Sequence, residues 1–229
     1  MIQSGGEFNV HKFQVDSNNE KLQSQAIYIN TCGKYCDISA MASRTLIVNP
    51  KEEQKAAYLI AFEAQELLIK SIKAGEKINS VYQIVKKFIN DKNQNLGVHS
   101  NFGFGIGFNY KEDALTINAA NQTVIKPGMT FHVRITLTNV HKDPSRSVIA
   151  IGDTVMVDEA GSPVVVTSGI QKKYSEISYS LEDEEEEKPA KAKPSGQTAK
   201  AKPTKKQESE GSEEYGAESD EENSQEILV

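Results

Sequence analysis

The stretch Thr130-Phe131-His132-Val133-Arg134-Ile135 sets an imidazole and a guanidinium two residues apart in an alternating pattern. Side chains alternate along a strand with period two, so His132 and Arg134 share one face. That pairing suits an anion and opposes a cation. The other groups able to do chemistry are scattered. Cys32 and Cys36 lie four apart with no second pair, whereas a structural zinc site takes four ligands, usually as two paired knuckles. Two free thiols are the expectation. Asp37 and Asp153 are scattered acids whose expected use is structural hydrogen bonding, and His99 and His141 fall in expected loops and carry no signal.

The elements that must position these residues can be read from periodicity. Ala26-Ile27-Tyr28-Ile29 and Arg44-Thr45-Leu46-Ile47-Val48 read as short strands, the first broken by Gly33 and the second halted at Asn49-Pro50. A helix is expected from about Glu52 to Lys73, with Ala56, Leu59, Phe62, Glu66 and Ile69 near helical spacing and Gly75 as its stop. A second is expected from about Ser80 to Asn90, with Ser80 as N-cap and Val81, Ile84, Val85 and Phe88 on one face. After the glycine-rich Gly103–Gly107, strand patterns return at Ala114–Ile117, Thr130–Ile135, Val148–Ile151, Thr154–Val157 and Val164–Val166, with a turn region at Asn118–Gln122. Strands, two helices and more strands indicate an α+β domain, taken as residues 1–175.

Charge divides the chain. The formal net charge is -6, yet Glu182–Val229 carries 15 acidic and 7 basic residues, leaving 17 acidic and 19 basic before it. Glu182, Asp183, Glu184, Glu185, Glu186 and Glu187 form one acidic block. A Lys/Pro/Ala stretch to Lys206 comes next, and then a second block containing Glu213, Glu214, Tyr215, Asp220, Glu221 and Glu222. Residues 176–229 hold too little apolar surface to offset the entropy of ordering, so a disordered acidic and Lys/Pro-rich tail or linker is expected. No run of about 18 apolar residues exists, so no membrane-spanning helix is expected.

Ile2-Gln3-Ser4-Gly5-Gly6, Gly103-Phe104-Gly105-Ile106-Gly107 and Pro127-Gly128-Met129-Thr130-Phe131 occur in this order. The second and third resemble the methionine and proline aminopeptidases, whose pita-bread fold carries Gly-His-Gly-Ile-Gly followed by Pro-Gly-Met-x-Phe-x-x-Glu. With the first included, the chain is similar to the family of large subunits of the FACT histone chaperone, a non-peptidase branch of that fold. Arg44-Thr45 and Ile151–Val157 extend the resemblance, which covers Ile2 to Lys173. The enzymes bind two divalent cations through two Asp, one His and two Glu. At the matching positions this chain offers Thr31, Met41, Phe104, Arg134 and Gly152. None is a normal ligand, and Arg134 puts a positive charge where a dication would sit. The resemblance therefore implies an inactive peptidase fold with no cofactor. Its cleft is expected to be filled by Phe104 and Met41, the alternative being a vestigial peptide cleft with His132 and Arg134 as anion contacts.

The FACT resemblance further implies core histones and nucleosomes as partners, in transcription, replication and repair, within chromatin in the nucleus. It also implies a smaller FACT subunit, reached through regions outside this chain. The histone-binding candidates are the acidic residues of the two blocks, with Tyr215 as an aromatic anchor. Neither a membrane nor a specific nucleic-acid sequence is expected as a partner. Because the chain opens at a motif lying well inside the family's domain, it reads as a partial gene product. Two rival classes stay open: a proliferation-associated RNA- or ribosome-binding pita-bread protein, and an active metallo-aminopeptidase. The first is disfavoured by the acidic tail and the second by the five replaced positions.

Overall fold

The computed structural model describes residues 1–10 and 15–181. Among them nine strands form one sheet, with helices packed on one face. The strands are β1 (Ile2–Gln3), β2 (Ala26–Tyr35), β3 (Ile38–Val48), β4 (Gly97–Val98), β5 (Gly103–Gly105), β6 (Thr130–Thr138), β7 (Ile149–Val157), β8 (Pro163–Val165) and β9 (Ser178–Tyr179). The spatial order is β1-β2-β3-β7-β6-β4, with β5 on β6, β8 on β7 and β9 on β3. All pairs are antiparallel except β3 with β9. The helices are α1 (Glu52–Ser71), α2 (Ile78–Lys92) and the single turn α3 (Tyr174–Ile177). The architecture is α+β, as the sequence indicates. No helix among the described residues is long and apolar enough to cross a membrane.

Several elements differ from their sequence-based outlines. The strand expected to break at Gly33 runs on to Tyr35 and pairs residue for residue with β3. Cys36 and Asp37, with φ of 45° and 63°, make the two-residue turn between them. Successive left-handed residues give a hairpin the twist its strands need. The two strands expected at Val148–Ile151 and Thr154–Val157 are one continuous β7. Gly152 and Asp153 stay extended because neighbours pair with them, Ser43 and Arg134 with Gly152 and Val133 with Asp153. The strand expected at Ala114–Ile117 is instead a 3-10 turn over Asp113–Leu115. The Asn121 amide folds it back by donating to the carbonyls of Ala114 and Thr116, a local bond that competes with ladder pairing. Folded elements also reach past residue 175, since Ser178 and Tyr179 pair with Ile47 and Val48. The tail from Glu182 lies outside the described residues.

The helices present different faces from those expected. On α1 the buried residues are Gln54, Ala57, Tyr58, Ala61, Ala64, Gln65, Leu68 and Ile69, while Ala56 and Leu59 are exposed, Leu59 by 45%. Three alanines let the helix approach β6 and β7 closely. Gln54 and Gln65 are buried because each meets a charged partner, Arg146 and Asp153. A pattern seeking large apolar residues misses such a face. Helix α2 begins at Ile78, not at Ser80, and needs no side-chain cap. The Ile78 and Asn79 amides donate to the Thr123 and Asn121 carbonyls, which satisfies donors otherwise orphaned at a helix start. Its buried face is Ile78, Val81, Tyr82, Val85 and Ile89, with Ile84 49% exposed.

These faces close over Phe131, Val133, Ile135 and Leu137 of β6 and Ile149, Ile151, Val155 and Val157 of β7 to form the main core. By alternation, the even-numbered residues of both strands lie on the opposite face. Because the α1 face is set by the alanine side, Leu68→Ala should lower the unfolding free energy by about 2–5 kcal/mol. Leu59→Ala should stay within about 0.5 kcal/mol. Urea unfolding of both variants checks this, and equal losses would mean that the helix is rotated.

Candidate functional site

The helix-free face carries three rows of residues set by strand register. The central row is Asn30, Ser43, Gly152 and Arg134 on β2, β3, β7 and β6. One step along lie Met41, Thr154, His132 and Phe104. On the other side lie Tyr28, Thr45, Ala150 and Thr136. Strands β3 and β7 meet main chain to main chain at Ser43 and Gly152. On either side a threonine hydroxyl spans the gap. Thr154 Oγ1 accepts from the Met41 amide and donates to the Met41 carbonyl, both at 2.8 Å. Thr45 Oγ1 does the same for Ala150, at 2.9 and 3.2 Å.

Gly152 is needed at the centre. A Cβ there would come within 2.8 Å of His132 Cε1 and 3.1 Å of Ser43 Cβ, so even alanine forces one of them to move. His132 is fully buried, its Nε2 3.3 Å from Ser43 Oγ, which also donates to Asn30 Oδ1 at 2.8 Å. Its ring lies 5.6 Å from that of Phe104. Burial, reinforced by the Arg134 and Arg44 charges, pulls its pKa down to about 3. The imidazole is therefore neutral at physiological pH. A Ser43–His132 pair of this kind is no nucleophilic device, because a base needs a pKa near the working pH and both residues are sealed from solvent.

Arg134 is 3% exposed. Its Nη1 donates to Tyr28 Oη and its Nη2 to the Val10 carbonyl, both at 2.9 Å. Met41, Phe104 and Ile106 form a separate small apolar cluster beside it. A guanidinium, a thioether, a phenyl ring and a glycine offer a divalent cation no oxygen or imidazole ligands, and the one histidine is bound to Ser43. This residue set does not fit a metal. Among the described residues, no group of three or more His, Cys, Asp or Glu side chains could hold one.

The structure thus brings Met41, Phe104, His132, Arg134 and Gly152 together, but not Thr31. Thr31 is exposed and pairs with Ala42, one residue out of phase with Met41. Asn30, whose partner is Ser43, is the β2 residue in the central row of the site face, with Tyr28 and Cys32 on the same face to either side of it. The correction comes from the hairpin turn at Cys36–Asp37, which fixes the register, and a period-two count back from that turn would have found it. Asn30, Ser43, Thr154 and Tyr28 were also missed. Asp37 is an exposed partner of Lys34, and Cys32 and Cys36 are free and exposed. Glu182, Asp183, Glu184, Glu185, Glu186, Glu187, Glu213, Glu214, Tyr215, Asp220, Glu221 and Glu222 lie outside the described residues.

Asp153 turns to the helix face and organises it. Its Oδ1 accepts from Arg44 Nη2 at 2.7 Å and Thr167 Oγ1 at 3.0 Å. Its Oδ2 accepts from Gln65 Nε2 at 3.0 Å and Lys172 Nζ at 3.3 Å. Arg44 spends its remaining donors on the carbonyls of Ser43, Gly152, Ile170 and Gln171. One ion pair thereby ties β3, β7, α1 and the segment after β8 behind the site.

A family model for metallopeptidase family M24 matches residues 1–159. The FACT complex subunit SPT16 of Arabidopsis thaliana is 33% identical over 204 residues, covering 83% of this chain and 19% of that protein. The N-terminal domain of FACT complex subunit SPT16 from chickpea (Cicer arietinum) has a TM-score of 0.70 and 28% identity over 78% of this chain and 44% of that one. A dipeptidase from Pyrococcus horikoshii has a TM-score of 0.64 at 19% identity, covering 79% of this chain and 48% of that one, a likeness of fold alone. The chain spans about one fifth of the length of the curated relatives it matches.

His132 makes a testable contribution to acid stability. Between its ordinary pKa of about 6.5 and its folded value of about 3, the unfolded chain binds a proton that the native chain does not. Stability from this group is complete above that window and falls as pH drops through it. From pH 7 to pH 5 the loss should be about 2 kcal/mol, and His132→Gln should remove it. Urea unfolding at the two pH values checks this, and an unchanged pH slope in the variant would contradict a buried neutral imidazole.

Proposed function

The chain belongs to metallopeptidase family M24, and we propose that it is a non-catalytic member acting as a FACT large-subunit-like histone chaperone component. The observation that carries the non-catalytic half is the buried Arg134 guanidinium in register with Gly152 at the centre of the site face. In this reading Met41, Phe104, Arg134 and Gly152, with Asn30 in place of Thr31, stand where the family's enzymes hold their cations. A fixed cation there repels a dication, and without an activated water no peptide bond is hydrolysed.

The chaperone half draws support from similarity to FACT complex subunits over most of this chain and from the acidic sequence after Glu182. Histones present arginines and lysines that must be shielded when DNA is absent. An acidic segment supplies screened, fast-exchanging contacts to such a surface. The candidates are Glu182–Glu187 and the block around Glu213, Glu214, Asp220, Glu221 and Glu222, with Tyr215 as an aromatic contact. The setting in this reading is nuclear chromatin, and the activity is nucleosome reorganisation during transcription, replication and repair. The smaller FACT subunit would be engaged by other parts of a full-length protein.

A titration of labelled core histones at two ionic strengths tests this reading. The intact chain should bind weakly and lose affinity as salt rises. A chain ending at Leu181 should lose most of that binding, and Tyr215→Ala a smaller part. Equal binding by intact and shortened chains would remove the acidic segment from the mechanism.

A further inference from the structure

The N-terminal segment reaches into the site face around Arg134. Gly5 and Gly6 stand at φ of 81° and 95°, two left-handed residues in a row that any side chain would strain. The chain turns on them, and Gln3 fastens the segment beyond the turn at Asn9. Its Oε1 accepts from the Asn9 amide at 2.8 Å and its Nε2 donates to the Asn9 carbonyl at 3.4 Å. Gln3 itself is buried. Val10 is buried as well, and its carbonyl takes the Arg134 Nη2 hydrogen at 2.9 Å. A peptide carbonyl of the chain itself thus occupies one arm of the buried guanidinium, and Tyr28 Oη occupies the other.

A neutral carbonyl is a modest partner for that fork. A carboxylate accepts two parallel charge-assisted bonds from one guanidinium and holds roughly twice as strongly per bond. The Tyr28 hydroxyl can add a donor to the same acceptor. Neutral His132 and the neighbouring Thr136 bring no negative charge to repel it. Thr136 is buried, and its Oγ1 has no hydrogen-bond partner among the described residues. Lying two residues from Arg134 on the same strand face, it is a further group able to meet a ligand.

We propose that Arg134 and Tyr28 form a carboxylate-binding pocket, and that Gln3 and Val10 are the latch that closes it from within the chain. The preferred ligand is a peptide carboxylate, a C-terminus or an acidic side chain, which displaces the Val10 carbonyl. The inference rests on the pocket holding no dication.

The probe is acetyl-Ala-Ala-Val as the free acid and as its C-terminal amide, titrated into the full chain and into Gln3→Leu. The opened variant should bind the acid at least ten-fold more tightly than the amide, and at least ten-fold more tightly than the unaltered chain does. Saturating acid should speed hydrogen exchange of the Asn9 amide in the unaltered chain and shift the Arg134 Nε–H resonance, a readout that needs no variant. Arg134→Lys in the opened background should lose most of the preference for acid while keeping the charge. Equal affinity for acid and amide, or no shift at Arg134, overturns the pocket. Asn9 exchange as fast in the unaltered chain as in Gln3→Leu overturns the latch. Elemental analysis of the same samples separates the causes: bound metal condemns the non-catalytic reading, and failure without metal condemns this inference alone.

Discussion

The contact between Ser43 and Gly152 is the point on which both faces of the sheet depend. It joins β3 to β7 main chain to main chain, with a threonine hydroxyl completing the join on either side. The missing side chain at Gly152 admits His132 against Ser43 on one face. On the other face, the next residue, Asp153, takes the Arg44 guanidinium, which in turn binds the Ser43 and Gly152 carbonyls. A side chain at position 152 would disturb a site, a strand join and an ion pair together.

Two buried arginines serve opposite purposes. Arg44 is charge-matched by Asp153, and every one of its N–H donors has an acceptor. A buried pair of this kind adds little net stability over an apolar substitute, yet removing one partner strands the other charge. Its role is to fix the position of β3, β7 and α1. Arg134 lies on the other face among a tyrosine hydroxyl, a main-chain carbonyl and a neutral imidazole. Its field helps burial hold His132 deprotonated and opposes a cation beside it.

Much of this was legible in the sequence, because β6 alternates along its length and the glycine-rich and Pro-Gly motifs fall at or just before strands. His132 and Arg134 were placed on one face by period two alone. Thr31 was misplaced because the register of a hairpin depends on its turn, and Cys36-Asp37 lacks the glycine that usually marks a left-handed pair. The α1 face was missed because Gln54 and Gln65 are buried by partners distant in sequence. The Val10 carbonyl on Arg134 left no trace at all, since a main-chain acceptor has no residue type to read.

In the proposed reading, the Arg134 guanidinium beside Gly152 stands where the family's enzymes hold dications. Crystals grown with excess manganese and measured at a wavelength where manganese scatters anomalously test it most directly. The account predicts density for the Arg134 side chain against Tyr28 and no anomalous peak among Ser43, His132 and Gly152. A strong peak there, with Arg134 swung away, would contradict it.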